Sequence, residues 1–210
     1  MDKKKGVIIA AFGIPGSGKS TTTREIGKFL NIQTFHEPEE NEWGQAVENR
    51  DIVGSFTALM WFRSTRVPQY FKAKLLKENG ETIMLDSCYD KLFYLYHNKQ
   101  GLEWLITKDD LYYSDMINIA KKDYQTLPDI DILVFFEQSE ENWEKFISIR
   151  NRKLDQEDDF KKSFILQEAF IDAVKQYCEE KKCKLIIHKQ SFSNPKVEAE
   201  KIVKKLAKYL

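Results

Sequence analysis

The sequence has no surplus of charge of either sign: 33 lysines and arginines are balanced by 33 aspartates and glutamates across 210 residues. A surface built for a long polyanion draws most of its affinity from phosphate contacts and shows a basic excess, so extended nucleic acid is not the expected partner. Small anions remain open. Cysteine is scarce: Cys88, Cys178 and Cys183 are odd in number and lack metal-ligand spacing. That argues against a disulfide framework or zinc site and for a reducing, cytoplasmic setting. Long apolar runs are missing as well. After Lys3, Lys4 and Lys5 the run from Val7 to Phe12 stops at Gly13, too short for a secretory core or a membrane span. Neither internal repeats nor a long linker can be found.

What is present reads as a globular chain, 42% hydrophobic and 31% charged, whose length favours a single domain over 1–210. Short apolar runs at Gly6 to Phe12, Ile32 to His36, Thr82 to Leu85, Ile130 to Phe136 and Lys184 to His188 alternate with helical patterns. Strands separated by helices predict a parallel sheet covered on both faces, a three-layer α/β/α fold. The order of the strands cannot be read. A first helix is expected from Lys19 to about Leu30, with Ile26, Phe29 and Leu30 facing the sheet. A longer helical region spans roughly Ile52 to Glu78, with Pro68 marking a kink or break and Asn79-Gly80 its stop. Ser139 is a candidate N-cap for a helix that carries Trp143, Phe146, Ile147 and Arg150 on one face. A polar stretch over about 150–160 is the candidate lid, followed by a helix from near Phe160. Asn194-Pro195 opens a final helix with Ile202, Val203, Leu206 and Leu210 at helical spacing.

The chemistry is carried by Gly13-Ile14-Pro15-Gly16-Ser17-Gly18-Lys19-Ser20. This is a complete G-x-x-x-x-G-K-[ST] loop, placed between a predicted strand and a predicted helix. Its glycines let backbone N–H groups converge on phosphate oxygens, and the positive end of the following helix adds to that field. Lys19 is expected to bridge the β- and γ-phosphates of ATP, and Ser20 to ligate Mg²⁺, with Thr21 completing the nucleotide-binding set. An Asn-Lys-x-Asp segment that would read guanine is absent.

In open α/β sheets ligands lie beyond the carboxyl ends of the strands. His36, Glu37 and Pro38, then Asp86 and Ser87, then Glu137 and Gln138 stand at those ends. Glu37 and Asp86 are the candidate base for an acceptor hydroxyl and the support for Mg²⁺, in either order. Arg150 and Arg152 are placed to fold over the transferring phosphoryl group. Arg63 and Arg66, three apart on the long helix, are candidates for contact with an anionic or polar acceptor.

Together these residues resemble the deoxynucleoside kinase family and its relative thymidylate kinase. His36-Glu37-Pro38 followed by Trp43 is similar to the family's Glu-Pro segment, which implies Glu37 as the base for a nucleoside 5′-hydroxyl. Arg66 matches an arginine that positions the acceptor oxygen, and Arg150-Asn151-Arg152 resembles the lid arginines. Asp155 falls where a glutamate contacts the sugar 3′-hydroxyl. Two positions depart from the pattern: Ser87 replaces an arginine, and Leu59 or Met60 stands where a glutamine would read the base. The resemblance implies a P-loop NTPase fold with a five-stranded parallel sheet and a short lid, transfer of phosphate from ATP to a small nucleoside, and a homodimer. A nucleoside monophosphate kinase is the nearest rival; a nucleotide-hydrolysing switch and a DNA-directed kinase are further ones.

Overall fold

The computed structural model describes residues 6–150 and 162–210. Its apolar runs become β1 Val7–Phe12, β2 Gln33–Phe35, β3 Thr82–Leu85, β4 Ile132–Glu137 and β5 Lys184–Lys189. All pair in parallel, in the order β2-β3-β1-β4-β5. Successive residues of a strand point to opposite faces, and both faces of β1 are buried. Ile8, Ala10 and Phe12 enter one core with Leu85, Leu133 and Phe135. Ile9 and Ala11 enter the other with Met84, Val134 and Phe136.

Helices α1 Lys19–Leu30 and α9 Pro195–Leu206 pack against each other over the second core. The first core is covered by α4 Ser55–Glu78, α5 Tyr89–Tyr96, α6 Tyr113–Thr126 and α8 Leu166–Lys181. Short helices α2 Gln45–Glu48 and α3 Arg50–Val53 lead into α4, and α7 Glu140–Arg150 follows β4. The three-layer α/β/α architecture is therefore as the sequence predicts.

Several boundaries fall on their sequence signals. The Asn142 N–H donates to Ser139 Oγ at 3.3 Å at the start of α7, and Lys196 N–H donates to Asn194 Oδ1 at 2.9 Å at the start of α9. Gly80 takes φ 86° just after α4. Other expectations change. The long helix starts at Ser55, after Gly54 at φ 85°, and runs through Pro68 without a break, although a proline there removes the donor for one carbonyl a turn earlier and crowds it. The inward line of α1 is Lys19, Thr22, Thr23, Ile26 and Gly27, so Phe29 points away from the sheet and is 43% exposed. Leu210 lies past the end of α9 and is exposed too. The helix expected from Phe160 begins at Leu166, after a 3-10 turn at Lys162–Ile165. Most of the lid expected over 150–160 lies outside the described residues. Among the described residues no helix is long and apolar enough to cross a membrane.

The connection from β1 goes out to β2 and returns to β3 at its side, while β4 lies on the other side of β1. The chain thus reverses direction across the sheet at β1. A crevice opens beyond the carboxyl ends of strands at such a point, and the glycine-rich loop from Gly13 to Ser20 leaves β1 there.

Candidate functional site

The loop after β1 is held from both sides of the crevice. Trp143 Nε1 on α7 donates to Pro15 O at 2.8 Å, and the Tyr89 hydroxyl on α5 donates to Gly13 O at 2.6 Å. Gly16 and Gly18 adopt left-handed φ values of 79° and 72°. A Cβ on Gly16 would lie 2.3 Å from Ile147 Cδ1, and one on Gly18 would lie 2.9 Å from Phe146 Cε1. Side chains are excluded from that turn, so only glycine lets the backbone amides curl inward. Ser17 is buried, and its Oγ has no hydrogen-bond partner; an orphaned donor inside such a loop suits an anion's oxygens.

Lys19 opens α1 and is only 6% exposed. Its ammonium donates to Ile14 O at 3.4 Å and lies 5.2 Å from the centre of the Tyr89 ring. Burial pushes its pKa down, against the opposing pull of the Glu37 and Asp86 carboxylates. One turn along α1, Thr23 Oγ1 lies 2.9 Å from Ser20 O and 3.4 Å from Asp86 Oδ1. Asp86 is buried at the end of β3, where its N–H donates to Phe35 O at 2.9 Å and its Oδ2 lies 3.3 Å from His36 Nδ1. Pairing of β3 with β1 thus brings Asp86 within reach of Thr23, one turn along α1 from Ser20.

A chain of charges begins on the other side of Lys19. Arg66 on α4 donates through Nη1 to Glu37 Oε1 at 3.1 Å, and through Nε and Nη2 to Asp90 at 2.6 and 3.0 Å. Burial opposes the charge of Arg66, but Asp90 and Glu37 outweigh it and raise its pKa. Three residues earlier, Arg63 grips Asp123 of α6 with Nε and Nη2, both at 2.7 Å.

These groups surround a cavity of about 830 Å³. Its wall includes the loop from Pro15 to Thr21, with Glu37, Trp43, Arg66 and Asp86; Arg150 at the end of α7 joins them. Gly13, the loop's first residue, is not on the wall. The Trp43 indole donates to Pro38 O at 3.3 Å and stands edge-on to Phe62, 5.8 Å between ring centres. Arg63 is not on the wall, but the Asp123 it holds is. Of the two candidates for the missing glutamine, Leu59 lines the cavity and Met60 does not. Ser87 is buried with its Oγ unpaired. Arg152 and Asp155 lie outside the described residues. Sequence reasoning missed Thr23, Tyr89, Asp90 and Asp123. Thr23 follows Lys19 and Ser20 by one turn of α1, a signal that spacing carries; nothing in the sequence around Asp90 or Asp123 marks them.

The arrangement can do specific chemistry. The loop, its lysine and the start of α1 form an anion nest, and Ser20 with Asp86 offers hard oxygens for a divalent cation at its edge. Glu37 places an oriented carboxylate in the same cavity.

The fold itself has known counterparts. Deoxyadenosine kinase from M. mycoides with bound dATP superposes with a TM-score of 0.72 at 23% identity, over 96% of this chain and 100% of that one. The same enzyme with dCMP and a flexible dCDP gives 0.69 at 24% identity, with the same coverage. Thymidylate kinase from Ehrlichia chaffeensis gives 0.56 at 14% identity, over 96% of this chain and 98% of that one. At these identities the likeness is one of fold. No protein-family model and no curated protein matches the chain.

Proposed function

We propose that this protein is an ATP-dependent phosphotransferase that moves the γ-phosphoryl group to the 5′-hydroxyl of a deoxynucleoside. The observation that carries this reading is that Glu37, oriented by Arg66 at 3.1 Å, shares one cavity with the Lys19 loop. A base for a hydroxyl and a cradle for a triphosphate are both needed, and they must face each other for in-line transfer.

In this reading the amides of Gly16 to Lys19 and the Lys19 ammonium hold the β- and γ-phosphates, while Tyr89 and Trp143 keep the loop in shape. Ser20 and Asp86 would hold Mg²⁺, which when bound neutralises charge shared by the two phosphates. Glu37 accepts the proton of the attacking hydroxyl. Arg66 keeps that carboxylate aimed. Arg150, and Arg152 after it, supply positive charge over the group in flight. Trp43 and Phe62 flank the acceptor.

The nearest rival, a nucleoside monophosphate kinase, needs cations free for the acceptor's phosphate. Both arginines that the sequence offers for that task are engaged, Arg63 with Asp123 and Arg66 with Asp90, which favours an uncharged nucleoside. The related structures with bound dATP, dCTP and dCMP are consistent with a nucleoside-sized acceptor. Labelled ATP offered with deoxynucleosides and with their monophosphates tests the choice: label is expected on the former, and transfer only to the latter would overturn it.

A further inference from the structure

The proposed chemistry leaves Asp123 unused, although it is among the more deeply buried charges of the cavity wall. It is 4% exposed, on a face of α6 that also gives Met116 and Ala120 to the cavity. Opposite them α4 gives Ala58, Leu59 and Phe62, and α5 gives Phe93. This end of the cavity is an apolar slot suited to a flat ring, with one carboxylate set into it.

The carboxylate is held rigidly. Arg63 occupies one lone pair on each of its oxygens at 2.7 Å and balances its charge, so the remaining lone pairs face the slot as fixed acceptors without a net charge to attract cations. The position also fits. Arg66, one helical turn from Arg63 on α4, marks the hydroxyl end through Glu37. The C-terminal part of α4 lies at the amino end of β4, where Lys77 pairs with Asp131, so Arg63 and the Asp123 it holds stand about one helical turn farther out from the sheet than Arg66 and Glu37, the side on which the base of a nucleoside would lie.

We propose that Asp123, oriented by Arg63, determines which base the site takes, by accepting a hydrogen bond from an exocyclic amino group. Adenine, cytosine and guanine carry such a group. Thymine and uracil turn a single N–H flanked by two carbonyl oxygens toward the slot, and those oxygens face the carboxylate unfavourably. Leu59 supplies no polar group to offset this. The inference rests on a nucleoside being the acceptor.

Binding of free nucleosides, measured by calorimetry without ATP, separates this inference from the phosphotransfer reading. Wild-type protein is expected to bind deoxyadenosine about tenfold or more tightly than purine 2′-deoxyriboside, which lacks only the amino group, and deoxycytidine similarly over deoxyuridine, because a buried acceptor left unpaired is costly. Asp123→Asn offers a donor as well as an acceptor, and should shrink both ratios at least severalfold. Arg63→Lys removes the fork and should shrink them too, even if Asp123→Asn fails to fold. Equal ratios in wild type and variants, or no preference in the wild type, would overturn the role of Asp123; a structural brace would lower binding of every nucleoside alike. If nucleosides bind with the expected ratios but receive no phosphate, the specificity claim stands and the phosphotransfer claim falls.

Discussion

The Tyr89 hydroxyl donates to the carbonyl of Gly13 across 2.6 Å, from a ring that also lies 5.2 Å from the Lys19 ammonium. One side chain from α5 therefore fixes the first residue of the glycine-rich loop and lies against its lysine. Tyr89→Phe keeps the ring and loses a bond of about 1 kcal/mol, so ATP should bind about fivefold more weakly. Tyr89→Leu also removes the cation–π contact, a further ~0.5–2 kcal/mol. Titration with a fluorescent ATP analogue reads both. Wild-type affinity in both variants would deny Tyr89 this role.

Glu37 is expected to matter to the rate and little to binding. Replacing it as Glu37→Gln keeps the shape and a hydrogen-bonding group toward Arg66 but removes the proton acceptor, and kcat should fall by ~10²–10⁴-fold. KM for either substrate should change far less. A kcat within a factor of two of wild type would move the base elsewhere, with Asp86 next in line.

Lys19 is buried at some cost to the free protein. Its pKa is lowered by burial, so the ionised ammonium disfavours the folded state wherever it stays protonated, and that penalty is relieved as pH rises from the folded value toward the 10.5 of a free lysine. Lys19→Met should leave the ligand-free protein as stable as wild type or more so at pH 7, with the gap narrowing toward pH ~10. Stabilisation by MgATP, seen as a rise in Tm for the wild type, should largely vanish in the variant. A variant unstable without ligand would show Lys19 to be structural.

Glu198 on α9 anchors the turn after β5. It accepts hydrogen bonds from His188 at 2.7 Å, Ser191 at 2.6 Å, Ser193 at 2.7 Å and Lys201 at 2.7 Å. Burial alone would push its pKa up, but these bonds win and bring it down to about 2. A depressed carboxylate stabilises the fold above its unfolded value of 4.5 and loses that contribution as pH falls from there through about 2. Glu198→Gln should destabilise the protein at pH 7 by roughly 1–3 kcal/mol, since buried donors lose a charged partner. The deficit should be smaller at pH 3, which urea unfolding at the two pH values would register.

Local signals in the sequence translated well where one residue decides the backbone. Gly18 and Lys19 open α1, Asn194-Pro195 opens α9, and Gly80 closes α4, because a cap or a left-handed turn is dictated by the residue itself. The loop, Glu37 and Asp86 were legible for a similar reason: each follows an apolar run that must be a strand. Strand order was not, since the central strands β3, β1 and β4 are buried on both faces and their residues do not name their neighbours. Asp90 and Asp123 escaped because their meaning comes from Arg66 and Arg63 across the cavity, a pairing that only packing of α5 and α6 against α4 creates. Phe29 misled because an apolar residue near the buried line of a helix need not lie on it.

The most direct test offers γ-labelled ATP and Mg²⁺ to the wild-type protein with each deoxynucleoside, and to Lys19→Ala and Glu37→Gln beside it. The account predicts labelled 5′-monophosphate from wild type, strongly diminished in both variants. Slow release of labelled phosphate with no labelled nucleotide from any nucleoside, or undiminished transfer by Lys19→Ala, would contradict it.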